Sequence, residues 1–266
     1  MDKKKILYIS NEIMPFVSET AMSRSCRELL LSMQDGHEIR AFMPKWGNIN
    51  ERRNQLHEVI RLSGMNLMID DTDHPLIIKV ASMPSARLQV YFIDNDDYFQ
   101  NRLAAKDKDG NEYPDNDERT IFFARGVLET VKKLRWNPDI IHCHGWLSAL
   151  VPLYLKTAYK EEPAFRESKI VTTIYPNELD LPFKENFEQL LMLRGMEPGD
   201  GGVFNQPFSN TDLQKKAIEY SDGIIFSSGL TDGSLKEYAA SVGRLSIEST
   251  ADTDAARLDS FYDSLE

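Results

Sequence analysis

"KILYISNEIMPFVSETAMSR" (residues 5–24) decides the fold. Lys5 to Ser10 is a short apolar run, and the polar, proline-containing turn after it leads into a segment of helical spacing, the start of a strand–turn–helix unit. In "SRSCRELLLSMQDG" (23–36), Cys26, Leu29, Leu30 and Met33 recur on one helical face, and Gly36 stands where a helix C-terminus favours glycine. A nucleotide-binding turn at this place is usually glycine-rich, so that backbone N–H groups can approach a phosphate. Residues 5–24 contain no glycine. The stretch therefore predicts a Rossmann-like sheet whose first strand end is not a phosphate cradle.

Working outward, "HEIRAFMP" (37–44) is a second strand. The runs 58–70, 74–84 and 86–95 are three short strands too closely spaced for βαβ crossovers, which predicts an antiparallel insertion at one sheet edge. "LAAKDKDGNEYPDND" (103–117) is polar and turn-rich and predicts a mobile loop. A helix follows over 118–134, with Ile121, Phe122, Val127, Leu128, Val131 and Leu134 on a broad apolar face and Lys132 and Lys133 near its C-terminus. "PDIIHCH" (138–144) is a buried strand with a polar end, where ligands sit in open parallel sheets. Helix over 146–159, strand over 169–175, loop over 195–210, helix over 211–221, strand over 222–228 and helix from about Leu230 continue the alternation. The fold class is α/β, a doubly wound parallel sheet with an antiparallel edge insertion. Residues 1–245 form this domain, and residues 246–266 an acidic tail, helical with a solvated face.

The 266 residues carry a formal charge of −11, which excludes non-specific attachment to nucleic acid or to an anionic membrane surface. The apolar run behind "MDKKK" is too short for a signal-peptide core, and no stretch approaches the ~20 residues of a membrane span. Two cysteines without metal-ligand spacing predict a reducing, cytoplasmic setting and no disulfide framework. No metal or cofactor is expected.

Several motifs together resemble the N-terminal domain of bacterial glycogen synthases and plant starch synthases. They are "SNEIMPF" (10–16), "MPKWG" (43–47), "YFIDNDDYF" (91–99), "DGNEYPDNDERTIFFARGVLE" (109–129), "PDIIHCHGWLSALVPLYL" (138–155) and, more weakly, "AIEYSDGIIFSS" (217–228). The resemblance implies the N-terminal half of a GT-B glycosyltransferase, a metal-independent retaining fold in which a second Rossmann domain supplies most of the nucleotide pocket. The length leaves no room for that second domain. The family's Lys-x-Gly-Gly-Leu matches Ser18, Glu19, Thr20, Ala21 and Met22. Its Asp-Trp-His matches Gly145, Trp146 and Leu147, and its Thr-Ile-His-Asn matches Thr173, Ile174, Tyr175 and Pro176. Ser18, Thr20, Ala21, Leu147, Tyr175 and Pro176 are thus departures at positions that touch the donor in the family.

By the resemblance, Asp115, Asn116, Arg119, His144 and Trp146 are candidate sugar contacts, and no residue is assigned as catalytic. Each has a structural alternative. Asp115 and Asn116 suit the N-cap of the helix near Asp117. His142 and His144 face one side of their strand and Cys143 the other, which disfavours a metal site and suits hydrogen bonding at the sheet's edge with a core thiol. Trp46 and Trp146 are candidates to stack on sugars, and Trp136 is a packing residue. "DDTD" (70–73) and "DNDD" (94–97) fit turns rather than acid/base pairs. The expected function is a glycogen/starch synthase-family domain, catalytically incomplete alone, binding glucan or oligosaccharide in a regulatory role. Two alternatives are a split transferase completed by a protein partner and a non-catalytic homo-oligomer joined across the cleft.

Overall fold

The computed structural model describes residues 3–84, 86, 88–230, 233–249 and 255–265. Strands β1 (Lys5–Ser10), β2 (Glu38–Pro44), β6 (Gln89–Asp94), β7 (Ile140–His144), β8 (Lys169–Ile174), β9 (Gly223–Phe226) and β10 (Leu245–Glu248) form one parallel sheet in the order β10-β9-β8-β7-β1-β2-β6. Strands β3 (His57–Glu58), β4 (Met65–Ile69) and β5 (Thr72–Ser82) are the antiparallel edge, with β5 on β6 and both β3 and β4 on β5. The fold is α/β as expected, with one correction. The run 86–95 yields β6, which is parallel to β2 and only antiparallel to β5, so it belongs to the main sheet and the insertion ends at β5. Spacing between consecutive strands concealed this, because the parallel partner of β6 lies before the whole insertion.

The strand order reverses between β1 and β7, whose registers pair Ser10 with His144. A crevice at the carboxyl ends of these two strands is where an open α/β sheet holds its ligand. On one face lie α1 (Ala21–Met33) and α7 (Ala255–Asp263), packed side by side. Against them the sheet presents Tyr8, Ser10 and His142, whose partners Cys26 and Tyr262 come from those helices. A second helical group contains α2 (Asn116–Leu134), α3 (Val151–Lys156) and α5 (Asn210–Tyr220). The short α4 (Phe187–Leu191), absent from the sequence expectations, packs its Phe187 against Phe183 and Phe208, while α6 (Ser234–Ser241) packs beside α5.

Other boundaries move for local reasons. Helix α1 starts at Ala21 because Thr20 and Ser23 form a capping box, and it ends at Met33 without a left-handed glycine cap. The expected helix over 146–159 divides into a 3-10 turn (Trp146–Ser148) and α3, since Pro152 sits in the first turn of α3. The acidic tail is not a solvated face. Leu258, Phe261 and Tyr262 of α7 are buried, and Asp259 lies 2.8 Å from His37 and Asp263 2.6 Å from Lys4. Gly223 of β9 is where this helix seats, because a Cβ there would lie 2.9 Å from the Phe261 ring. Strand β10 begins at Leu245, so the expected boundary after residue 245 falls inside a strand. Residues 250–254 and 266 of the tail lie outside the described residues.

The segment 103–117 is tied down by Arg119. Fully buried in α2, Arg119 donates from Nε to the Tyr98 carbonyl (3.0 Å), from Nη1 to the Ala104 carbonyl (2.6 Å) and Asn116 Oδ1 (2.7 Å), and from Nη2 to the Leu103 carbonyl (2.8 Å). Its guanidinium also faces the rings of Trp46 and Tyr113. Replacing it leaves three backbone carbonyls buried without a donor. Arg119→Met is expected to lower unfolding stability by about 3 kcal/mol or more, read as a shift of the urea midpoint, whereas a change below about 1 kcal/mol contradicts this role.

Candidate functional site

The turn after β1 explains how a strand end without glycine is closed. The Thr20 backbone N–H donates to Ser23 Oγ (2.8 Å), and the Ser23 N–H to Thr20 Oγ1 (3.0 Å). The Thr20 hydroxyl in turn donates to Glu12 Oε2 at 2.5 Å. Two of the amide groups at the start of α1 are therefore satisfied by side chains, and a carboxylate lies where an anion would sit. Arg24, one turn into α1, is paired with Glu19.

Asn11 holds the switch point together. Its N–H donates to the His144 carbonyl (3.2 Å), its carbonyl accepts from Trp46 Nε1 (2.8 Å), and its Oδ1 accepts from the Leu147 N–H (3.2 Å). Gly145 passes directly over this amide with φ of +83° and ψ of 170°, a conformation largely reserved for glycine. A Cβ there would lie 2.6 Å from Asn11 Cγ, so the site has no space for a side chain at residue 145.

Beside the switch point, between α1 and strands β7 to β9, is a cavity of about 100 Å³. Its walls are His142, His144, Thr173, Tyr175, Ser227 and Ser228 on the sheet side, Ala21, Ser25 and Leu29 from α1, and Leu258 from α7. The described lining contains no lysine or arginine. His142 uses both ring nitrogens, Nδ1 with the Tyr262 hydroxyl (2.7 Å) and Nε2 with Thr173 Oγ1 (2.8 Å). His144 uses one, Nδ1 with the Tyr175 hydroxyl (3.2 Å), while its Nε2 and Ser227 Oγ have no partner among the described residues. Burial pushes both imidazoles down, His144 to about 3, so the cavity is uncharged at neutral pH. Cys143 is buried, its thiol pushed up by burial, and it packs in the core as expected.

The five candidate sugar contacts do not converge. His144 alone lines this cavity. Trp146 is 2 % exposed and lines an adjoining niche, so its ring presents no open face. Arg119 and Asn116 are enclosed by the 103–117 segment, Asn116 Nδ2 donating to the Ala105 carbonyl (3.0 Å). Asp115 does not cap α2 through its side chain, because both its oxygens lie 2.7 Å from Arg102 Nη1. Trp46 is likewise buried, and Trp136 donates to Glu38 Oε1 (2.7 Å) as a packing residue. The turn carboxylates behave as turns: Asp70 is left-handed (φ +53°), and Asn95 Oδ1 accepts from the Asp97 and Tyr98 N–H groups.

Glu178 was not singled out by sequence. It follows the Tyr175-Pro176 pair, and burial, then the charge of Glu12, raises its carboxyl to about 7, while burial also raises Glu12. Because its folded value lies above the ordinary one, its stabilising effect is complete below about pH 4.5 and is lost as pH rises through about 7. Glu178→Gln is therefore expected to flatten the fall in stability between pH 5 and pH 8 by ~2 kcal/mol relative to the unsubstituted chain, measured by urea titration at each pH. Parallel curves for the two proteins contradict the assignment.

Comparison with known proteins agrees with this architecture. The family described as starch synthase catalytic domain matches residues 5–231. A glycogen synthase of Chlorobium luteolum is 38 % identical over 231 residues, covering 85 % of this chain and 46 % of that protein. A glycogen synthase of Chlorobium limicola is 41 % identical over 191 residues, covering 70 % and 39 %. The chain thus spans about half the length of these relatives or less. The catalytic domain of starch synthase IV from Arabidopsis thaliana, solved with ADP and acarbose, superposes with a TM-score of 0.73 at 18 % identity over 95 % of this chain and 52 % of that one. This likeness places the sheet in the GT-B glycosyltransferase fold. With a strand order that reverses at β1 and β7, and with relatives matched along most of its length, the chain belongs to the starch synthase catalytic domain family.

Proposed function

We propose that this glycogen/starch synthase-family domain binds glucan or oligosaccharide, has no glucosyl transfer activity on its own, and acts as a binding or regulatory module in storage-polysaccharide metabolism. The observation that carries this is the chemistry of the His144 cavity. One unpaired imidazole nitrogen, serine and threonine hydroxyls and an apolar wall suit the hydroxyls and faces of a neutral sugar. A nucleotide-sugar donor brings a diphosphate, and an anion taken from water needs a counter-charge or several free N–H donors. The described lining offers no lysine or arginine, and the amides of Thr20 and Ser23 are used in the capping box.

Binding and transfer are separable in experiment. Maltotriose titrated into the protein by calorimetry is expected to bind in the millimolar range, and His144→Phe to weaken it about tenfold by removing the Nε2 contact. Radiolabelled glucose from ADP-glucose or UDP-glucose is expected not to enter glycogen above background with the purified chain. Incorporation would overturn the incomplete-site reading, and folded protein with no saccharide binding would overturn the glucan reading.

A further inference from the structure

A second polar hollow lies on the α5 side of β8. Thr172 and Ile174 line the hollow with Trp146 and Asn210, and it shares Thr173, Tyr175 and Pro176 with the adjoining His144 cavity. Its volume is about 10 Å³, room for a single oxygen atom with its hydrogens. Two side-chain atoms at its wall have no partner among the described residues: the Trp146 Nε1–H donor, in a residue 2 % exposed, and the Asn210 Oδ1 acceptor, in a residue 1 % exposed. Asn210 is oriented by its Nδ2 donating to Asn177 Oδ1, which turns Oδ1 away from that partner. Gln214, also in the wall, donates from Nε2 to the Tyr175 carbonyl (3.1 Å).

A buried donor and a buried acceptor left open together each forfeit about 1–3 kcal/mol, unless something bridges them. An oxygen that accepts one hydrogen bond and donates another satisfies both at once. An anion would satisfy the indole and oppose Asn210 Oδ1, and a cation would do the reverse. The pair therefore selects a neutral hydroxyl. Glu178 lines the same hollow, and with its carboxyl close to half-protonated at neutral pH it can complete the coordination as donor or acceptor.

We propose that Trp146, Asn210 and Glu178 form a binding site for one neutral hydroxyl oxygen, supplied by water in the free protein and open to the hydroxyl of a saccharide. The site adjoins the His144 cavity, but its test reads the Trp146 indole N–H in the free protein and so does not require glucan binding there.

The three tryptophans make the test direct. The Trp46 and Trp136 indoles donate within the protein, to the Asn11 carbonyl (2.8 Å) and Glu38 Oε1 (2.7 Å), and serve as internal controls. In a nitrogen-15 NMR experiment with water-selective excitation, the Trp146 indole N–H is expected to show a cross-peak to a long-lived water that the controls lack, identified by its loss in Trp146→Phe. Asn210→Ala should abolish the water cross-peak and shift the Trp146 signal, while the unchanged control signals report an intact fold. Maltotriose at millimolar concentration distinguishes the sources. Loss of the water cross-peak with a shift of the Trp146 signal means a sugar hydroxyl takes the place, and an unchanged cross-peak means water holds it. A Trp146 indole with no water cross-peak, in free and saccharide-treated protein alike, overturns the site.

Discussion

The geometry of the crevice depends on one enclosed amide, Asn11. Through its backbone and side chain it joins the ends of β1 and β7, the indole of Trp46 and the Leu147 amide of the 3-10 turn. These bonds give partners to the Trp46 indole N–H, the Leu147 N–H and the His144 carbonyl, all in buried residues. Gly145 is the necessary complement. The chain must cross the Asn11 side chain with positive φ and no Cβ, and this fixes where the turn after β7 places Trp146 and Leu147.

Charge decides what such a crevice can hold. Two imidazoles stacked on one strand face, with ring centroids 4.0 Å apart, are kept neutral by burial. Glu12 and Glu178 are raised by burial, and Arg24 is spent on Glu19. A neutral polyhydroxyl ligand meets little opposition here, whereas a diphosphate meets no compensating cation in the described lining. The distinction rests on electrostatics, and apolar lining area alone would not have drawn it.

The main sheet was legible in sequence because its strands are continuous apolar runs separated by helices of clear period, as in Ile140–His144 after the apolar face of α2. What escaped lacks that signal. Strand β10 reads Leu-Ser-Ile-Glu, with no apolar run, and is recognised only by its ladder with β9. Tyr262 reads as one aromatic in an acidic tail, yet its hydroxyl meets His142 and Tyr8, residues over a hundred positions away in sequence. Site membership was less legible than fold. Motif matching selected Asp115, Asn116, Arg119, His144 and Trp146 as a group, but only three-dimensional contact shows that Arg119 is consumed by carbonyls while His144 retains a free nitrogen. Glu178 and Asn210 carry no local pattern at all, since their significance arises from burial beside partners brought in by other elements.

The contacts of Gly145, Leu147 and Tyr175 fit one another. Here Gly145 admits the Asn11 amide, Leu147 is fully buried with its N–H on Asn11 Oδ1, and the Tyr175 hydroxyl occupies His144 Nδ1. Replacing any one residue disturbs contacts made by the others: an aspartate at 145 collides with Asn11, an imidazole at 147 enters an apolar core, and loss of the phenol leaves His144 with both nitrogens unpaired. The three residues pack as one unit at the switch point, and that unit constrains what the strand end can hold through its own hydrogen-bond pattern.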